Sequence, residues 1–300
     1  MVTGDMTLQK AEAGSLWRRL LHGVRRVWQR ADWPGLAGAD WAGTIMQTGV
    51  TDDFHAKQGR STGRLLLEKN GQTLGVYLKR HYRLPWWRGL LATFCPWGNW
   101  SPAVQELRNL QWAGAQGLPV PAPVAAGEYV GPWGKLQSIL AVEELTGMLA
   151  LHQAIPLASR QLDLTTFRVW KKGLAQEMAR LSRELHSRCR FHKDLYLCHF
   201  YIARSDTTRL TEWRGRVFMI DFHRLGRHWI TWPIWLVKDL GQLLYSTANV
   251  EGVEDRDRLW FWRCYQGRGM GRCLLARIVR LKTGLYRRHA RRKALRLAGR

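Results

Sequence analysis

The chain has 300 residues, 46% of them hydrophobic and 11% aromatic, with 47 Lys and Arg against 23 Asp and Glu for a net charge of +24. That is enough apolar material for about two domains and excludes a disordered chain. The charge points to an anionic partner: nucleic acid, an acidic membrane surface or a phosphorylated substrate.

No apolar run reaches the roughly 18 residues of a membrane span, and the first residues lack the apolar stretch and cleavage site of a secretory signal. The cysteines Cys95, Cys189, Cys198, Cys264 and Cys273 contain no Cys-x-x-Cys pair. A disulfide scaffold or zinc ribbon is therefore not expected, and a reducing cytosol is.

Residues 1–45 read as a basic N-terminal extension. Leu16, Trp17, Leu20, Leu21, Val24, Val27 and Trp28 recur near helical spacing among arginines. This predicts one helix, either capping the domain or lying on a membrane surface. Asn70-Gly71 is a hairpin signal between 64–68 and 73–79. In the second strand Val76 and Leu78 face one way, Tyr77 and Lys79 the other.

Ser101-Pro102 has the form of a helix start, with Val104, Leu107 and Leu110 as its apolar stripe and Gly114 and Gly117 as its stop. The proline-rich stretch 118–123 is an extended connector. Short strands are expected around 124–130 and 136–143, and 143–147 as a link between two lobes. Trp170, Leu174, Met178, Leu181 and Leu185 predict a long helix over 166–188. A loop at 191–199 follows, then a hairpin of 200–204 against 217–220, and a helix near 234–246 containing Asp239. Residues 280–300 hold nine Lys or Arg and no acid. They read as a solvated basic tail or an electrostatic anchor on phosphates.

Taken in order, these features match what phosphoryl transfer from ATP needs in a protein-kinase-like fold. Lys79 is the candidate cation for the non-transferred phosphates, with Glu106 as its ion-pair partner. The first turn, Lys57-Gln58-Gly59-Arg60-Ser61-Thr62-Gly63, offers two glycines and several backbone donors to phosphate oxygens, although it is not GxGxxG. His192-Lys193-Asp194 has the form of the kinase His-Arg-Asp loop, which makes Asp194 the candidate catalytic base. Asp221, at a strand end before Phe222, is the candidate Mg²⁺ ligand. His199 stands where a protein kinase has asparagine and is either a metal contact or a hydrogen-bond donor. In kinase-like folds an aspartate placed as Asp239 is braces the catalytic loop through its backbone amides.

The sequence resembles the Kdo/heptose kinases of lipopolysaccharide core synthesis, the WaaP/InaA-type group, over about residues 50–250. The resemblance rests on Gly59-Arg-Ser-Thr-Gly-Arg64, Val76-Tyr-Leu-Lys-Arg80, Glu106, Gly117-Leu-Pro-Val-Pro121, Ile220-Asp-Phe-His-Arg224 and Lys238-Asp-Leu-Gly-Gln-Leu-Leu-Tyr-Ser246. Its most specific part is His192-Lys-Asp-Leu-Tyr-Leu-Cys-His199, since histidine commonly replaces the kinase asparagine in this group. It implies an ATP- and Mg²⁺-dependent kinase of an inner-core sugar, heptose or Kdo, working peripherally at the cytoplasmic face of the inner membrane.

The expected fold is α+β and bilobal, with a small antiparallel sheet lobe at 46–145, a larger helical lobe at 146–279, and ATP with Mg²⁺ in the cleft between them. Three other readings compete. A nucleic-acid-binding module explains the charge but not the order of Lys79, Glu106, Asp194 and Asp221. A metal-dependent hydrolase would use His192, Asp194, His199, Asp221 and His223, without a strong zinc spacing. A kinase with a protein or small-metabolite acceptor would share the phosphate-handling residues.

Overall fold

The computed structural model describes residues 15–50, 59–69, 71–209, 212–266 and 272–298. The chain divides into two compact units, one built from 1–116 and 121–146, the other from 117–120 and 147–300.

The first unit holds α1 (Leu16–His22), β1 (Val24–Gln29), α2 (Trp33–Ala37), α3 (Trp41–Thr44), β2 (Arg60–Lys69), β3 (Gln72–His81), α4 (Trp86–Phe94), α5 (Pro102–Ala115), β4 (Pro123–Gly131) and β5 (Lys135–Glu143). Its five strands form one antiparallel sheet in the order β1-β4-β5-β3-β2. The expected hairpin is β2 and β3. Gly71 sits at its turn with φ +75°, and Asn70 lies outside the described residues.

Alternation along β3 divides the sheet into two faces. Leu74, Val76 and Leu78 are buried under α2 and α3, whose Trp33 and Trp41 meet edge to face at 5.8 Å. The other face, carrying Lys79, lies on the side of α5, which packs on β3, β4 and β5. Helix α5 starts as expected: the Ser101 hydroxyl accepts the Val104 amide, and Val104, Leu107 and Leu110 are buried. It runs through Gly114 to Ala115, with Gly117 beyond it at φ +69°.

The single helix expected over 16–28 is corrected. It ends at His22, and Val24–Gln29 is a strand paired with β4. Gly23 makes the break: its φ is +75°, and a Cβ there would come within 2.1 Å of the Val130 carbonyl oxygen. Beyond it Arg26 and Trp28 are buried, a period-two pattern that helical spacing does not describe. Arg26 pairs with the fully buried Glu128 opposite it on β4.

The second unit comprises β6 (Met148–Ala150), α6 (Leu151–Gln161), α7 (Leu164–Ser187), β7 (Arg190–Phe191), β8 (Phe200–Ala203), β9 (Phe218–Met219), β10 (Gly226–Arg227), α8 (Trp232–Ser246), α9 (Asp255–Gln266) and α10 (Arg272–Ala298). The long helix is α7, capped by Asp163, whose carboxylate accepts the Thr165 and Thr166 amides. The expected hairpin is β8 with β9, in the register Phe200↔Met219. Residues 280–298, read from the sequence as a basic tail, continue the helix α10. Thr283 is buried, as is Val279 just ahead of this stretch, and the Thr283 hydroxyl reaches the Gly241 carbonyl of α8.

Candidate active site

In the first unit the ladder and the helix together build one ion pair. Lys79 on β3 and Glu106 on α5 are 27 positions apart, yet Lys79 Nζ donates to Glu106 Oε1 at 2.6 Å. Glu106 is buried and Lys79 reaches solvent. A carboxylate so placed holds an ammonium in one direction while leaving it accessible to an anion.

The residues expected as a phosphate-binding turn are placed differently. Arg60, Ser61, Thr62 and Gly63 belong to strand β2, and only Gly59 precedes it. Thr62 lies opposite Lys79 in the ladder and Arg60 opposite His81, so these two share the lysine's face. Ser61 and Gly63 sit over the opposite, buried face, where the Ser61 hydroxyl accepts from Arg80 Nε at 3.1 Å and meets the Tyr82 hydroxyl. The Gly59 carbonyl accepts the Tyr82 and Arg83 amides. Lys57 and Gln58 of the expected turn lie outside the described residues.

In the second unit the loop after β7 hangs from one buried carboxylate. Asp239 of α8 is fully buried. It accepts the His192 amide at 2.7 Å on Oδ2 and the Lys193 amide at 2.8 Å on Oδ1. His186 of α7 also donates to it, at 3.3 Å. Asp239 thus has the bracing role expected of it. Lys193 takes φ +67°, a costly value for a residue with a Cβ, and Asp194 comes next.

The His192 ring is buried, which lowers its pKa. Its Nε2 donates to the Ile220 carbonyl at 3.0 Å, tying the loop to the residue before Asp221. Asp221 also adopts φ +67°, in the left-handed region that aspartate tolerates better than most residues. The His223 ring donates from Nδ1 to Asp221 Oδ1 at 2.5 Å.

His199 faces the same carboxylate. Its Nδ1 donates to the Asp194 carbonyl at 2.7 Å, and its Nε2 stands 3.8 Å from Asp221 Oδ2. Burial works against a charged His199, but Cys198, the Asp194 carbonyl and Asp221 outweigh it, and its pKa is raised. One carboxylate oxygen of Asp221 and the Nε2 nitrogen of His199 thus face each other across 3.8 Å.

Two partners of Asp194 were not anticipated from sequence. Arg224 Nη1 donates to both its carboxylate oxygens, at 2.9 and 3.1 Å. Gln242 accepts the Leu195 amide at 3.3 Å and donates to the Tyr196 hydroxyl at 3.1 Å, with Asp194 Oδ1 at 3.5 Å. Gln242 lies three residues after Asp239, on the same helix face, and that spacing is a signal the sequence carried.

A sheet with a paired strand lysine, and a helical unit with an aspartate-braced His-Lys-Asp loop, define a protein-kinase-like phosphotransferase. A profile described as "Lipopolysaccharide kinase (Kdo/WaaP) family" matches residues 52–265. The lipopolysaccharide core heptose(I) kinase WaaP of Pseudomonas aeruginosa is 27% identical over 257 residues, which span 79% of this chain and 87% of that protein. The enzyme of the same description from Escherichia coli strain K12 is 30% identical over 130 residues, 43% of this chain and 47% of that protein. The solved structure of WaaP in complex with acyl carrier protein matches with a TM-score of 0.61 at 24% identity, covering 89% of this chain and 97% of that chain. The chain belongs to the lipopolysaccharide kinase (Kdo/WaaP) family, and it is an ATP-dependent kinase of a lipopolysaccharide-core sugar hydroxyl.

Proposed function

We propose that the acceptor is a heptose of the inner core, presented at a membrane surface, and that the residues above divide the work as follows. Lys79, held by Glu106, takes the non-transferred phosphates of ATP. Arg60 and Thr62, on the lysine's face of β2, are in reach of the same anions. Asp194 orients the acceptor hydroxyl and takes its proton. The hydroxyl oxygen bonds to the γ-phosphorus as the bond to the ADP oxygen breaks. Asp221 and His199 would hold Mg²⁺, which when bound supplies positive charge to the phosphate oxygens. The Asp221 carboxylate is the oxygen donor this ion prefers, completed by water and phosphate, whereas the His199 imidazole is a weaker donor to it and holds it only when Nε2 is unprotonated.

The observation that carries the reading is the Asp239 bridge to the His192 and Lys193 amides, because it fixes the backbone just ahead of Asp194. The heptose is supported by the names of the two relatives, and the membrane surface by the net charge of +24. Among the described residues no helix is long and apolar enough to cross a membrane.

The test is transfer of labelled γ-phosphate from ATP to lipopolysaccharide lacking inner-core phosphate, with Asp194→Ala and a generic protein acceptor in parallel. Label in the glycolipid, lost in the variant, is the expected result. Label in protein alone would move the acceptor to another class.

A further inference from the structure

The segment leaving the Asp221 loop buries Phe222, Leu225 and Leu236 but carries apolar side chains at 229–234 that the core does not use. From Phe222 to Val237 the sequence is Phe-His-Arg-Leu-Gly-Arg-His-Trp-Ile-Thr-Trp-Pro-Ile-Trp-Leu-Val, with no acidic residue. Residues 229–234 are six consecutive exposed positions. Four of them are large and apolar: Trp229 is 62% exposed, Ile230 93%, Trp232 46% and Ile234 67%. Leaving such side chains in water together, at one tip, forgoes the burial that normally organises them.

This tip is not a loose loop. Strand β10 pairs with β7 in the register Gly226↔Phe191 and Arg227↔Arg190, and the His228 amide donates to the Cys189 carbonyl at 2.9 Å. The His228 ring packs on Trp235 at 4.8 Å, and both side chains bond to the Thr231 hydroxyl oxygen. The tip is therefore tethered to the two residues that run directly into His192-Lys193-Asp194.

Cations surround its base. The Arg227 guanidinium lies 3.9 Å from the Trp229 ring centre, and Lys193 and Lys238 lie 4.8 and 5.0 Å from that of Trp235. Among the described residues no ion pair joins Lys193, Arg227 or Lys238 to a carboxylate within 4.0 Å. Burial, then Arg224, lowers the pKa of Lys193 and of Lys238, with Asp239, and for Lys238 also Asp194, acting the other way.

We infer that residues 229–234 are a membrane-docking tip: Trp229, Ile230, Trp232 and Ile234 enter the headgroup and upper acyl region of an anionic bilayer while Lys193, Arg227 and Lys238 bind lipid phosphates. The occupant follows from the chemistry. Tryptophan with aliphatic residues at the point and arginine or lysine behind is the side-chain set of an interfacial insertion, and three cations without a direct ion-pair partner among the described residues match an anionic lipid surface. The inference rests on the reading of a membrane-borne acceptor and deepens it. The bilayer seat and the catalytic aspartate share one short, hydrogen-bonded scaffold, so docking sets the height of Asp194 above the lipid.

The test is co-sedimentation of the whole protein with phosphatidylcholine vesicles, with and without phosphatidylglycerol. Ile230→Asp and, separately, the milder Trp229→Ser/Ile230→Ser should each reduce partitioning onto the anionic vesicles by about tenfold or more. A control, Trp86→Ser/Trp97→Ser, alters another exposed apolar set in the first unit and should bind as the wild type does. The tip variants should phosphorylate a water-soluble deacylated core oligosaccharide at the wild-type rate and lipopolysaccharide in vesicles more slowly. Wild-type vesicle binding by both tip variants would overturn the inference, as would loss of binding only in the Trp86/Trp97 control. If the wild type phosphorylates neither acceptor, the functional reading fails, while sedimentation still decides the docking surface.

Discussion

The carboxylate of Asp239 accepts the backbone amide of His192 at 2.7 Å, although the two residues are 47 positions apart. With the Lys193 amide on its other oxygen, the side chain does for the loop what a paired strand would do: it satisfies two backbone donors at once. Asp239→Asn keeps the shape but turns one acceptor into a donor facing an N–H. We expect a loss of about 1–3 kcal/mol in stability and a fall in kcat with KM for ATP little changed. Thermal unfolding and steady-state kinetics on the same preparation check both. An unchanged kcat would mean the loop keeps its shape without the bridge.

The Lys79–Glu106 pair should behave as a positioning device more than as a source of stability. Glu106→Gln retains an acceptor for the ammonium but removes the charge that holds it. We expect kcat/KM for ATP to fall on the order of 10²-fold, with a small change in unfolding temperature. Lys79→Arg should not restore activity to a chain lacking Lys79, because a planar fork does not reproduce a point charge. Initial rates across a range of ATP concentrations are the measurement.

Asp194 and Asp221 separate two roles. Asp194→Ala should lower kcat by about 10²–10⁴-fold while nucleotide affinity, measured by calorimetry, stays close to wild type. Asp221→Ala should instead raise the Mg²⁺ concentration needed for half-maximal rate. Chelation should abolish wild-type activity and added Mg²⁺ restore it. Equal Mg²⁺ titration curves for wild type and Asp221→Ala would remove the metal role from this residue.

Arg26 and Glu128 predict stability alone. Both are buried, and Glu128 also accepts the Ser101 amide at 3.0 Å, at the cap of the helix that carries Glu106. Arg26→Ala leaves a carboxylate buried with too few partners. That should cost about 3–5 kcal/mol in denaturant unfolding. The double change Arg26→Met with Glu128→Leu should recover much of the loss, since it leaves no buried charge behind.

The sequence by itself determined the features whose physics is local. The Ser101-Pro102 start of α5, the β2–β3 hairpin, the faces of Val76 and Lys79, and the length of α7 each depend on neighbours within about one turn or one strand pair. The order of Lys79, Glu106, Asp194 and Asp221 was legible too, because each residue type is dictated by the charge it must meet. What only the tertiary structure decided lies between distant segments. Val24–Gln29 has apolar positions that suit a helix as well as a strand, and it became a strand because Gly23 breaks the helix and β4 offers a ladder. Arg26 and Glu128 are 102 positions apart, and neither shows its partner locally. Ser61 and Gly63 took the buried face of the sheet because the register with β3 put Thr62, and not them, opposite Lys79. Arg224 and Gln242 reach Asp194 from two separate elements. Local periodicity reports a backbone's preferences, whereas a strand partner or a buried counter-charge depends on what folding brings alongside it.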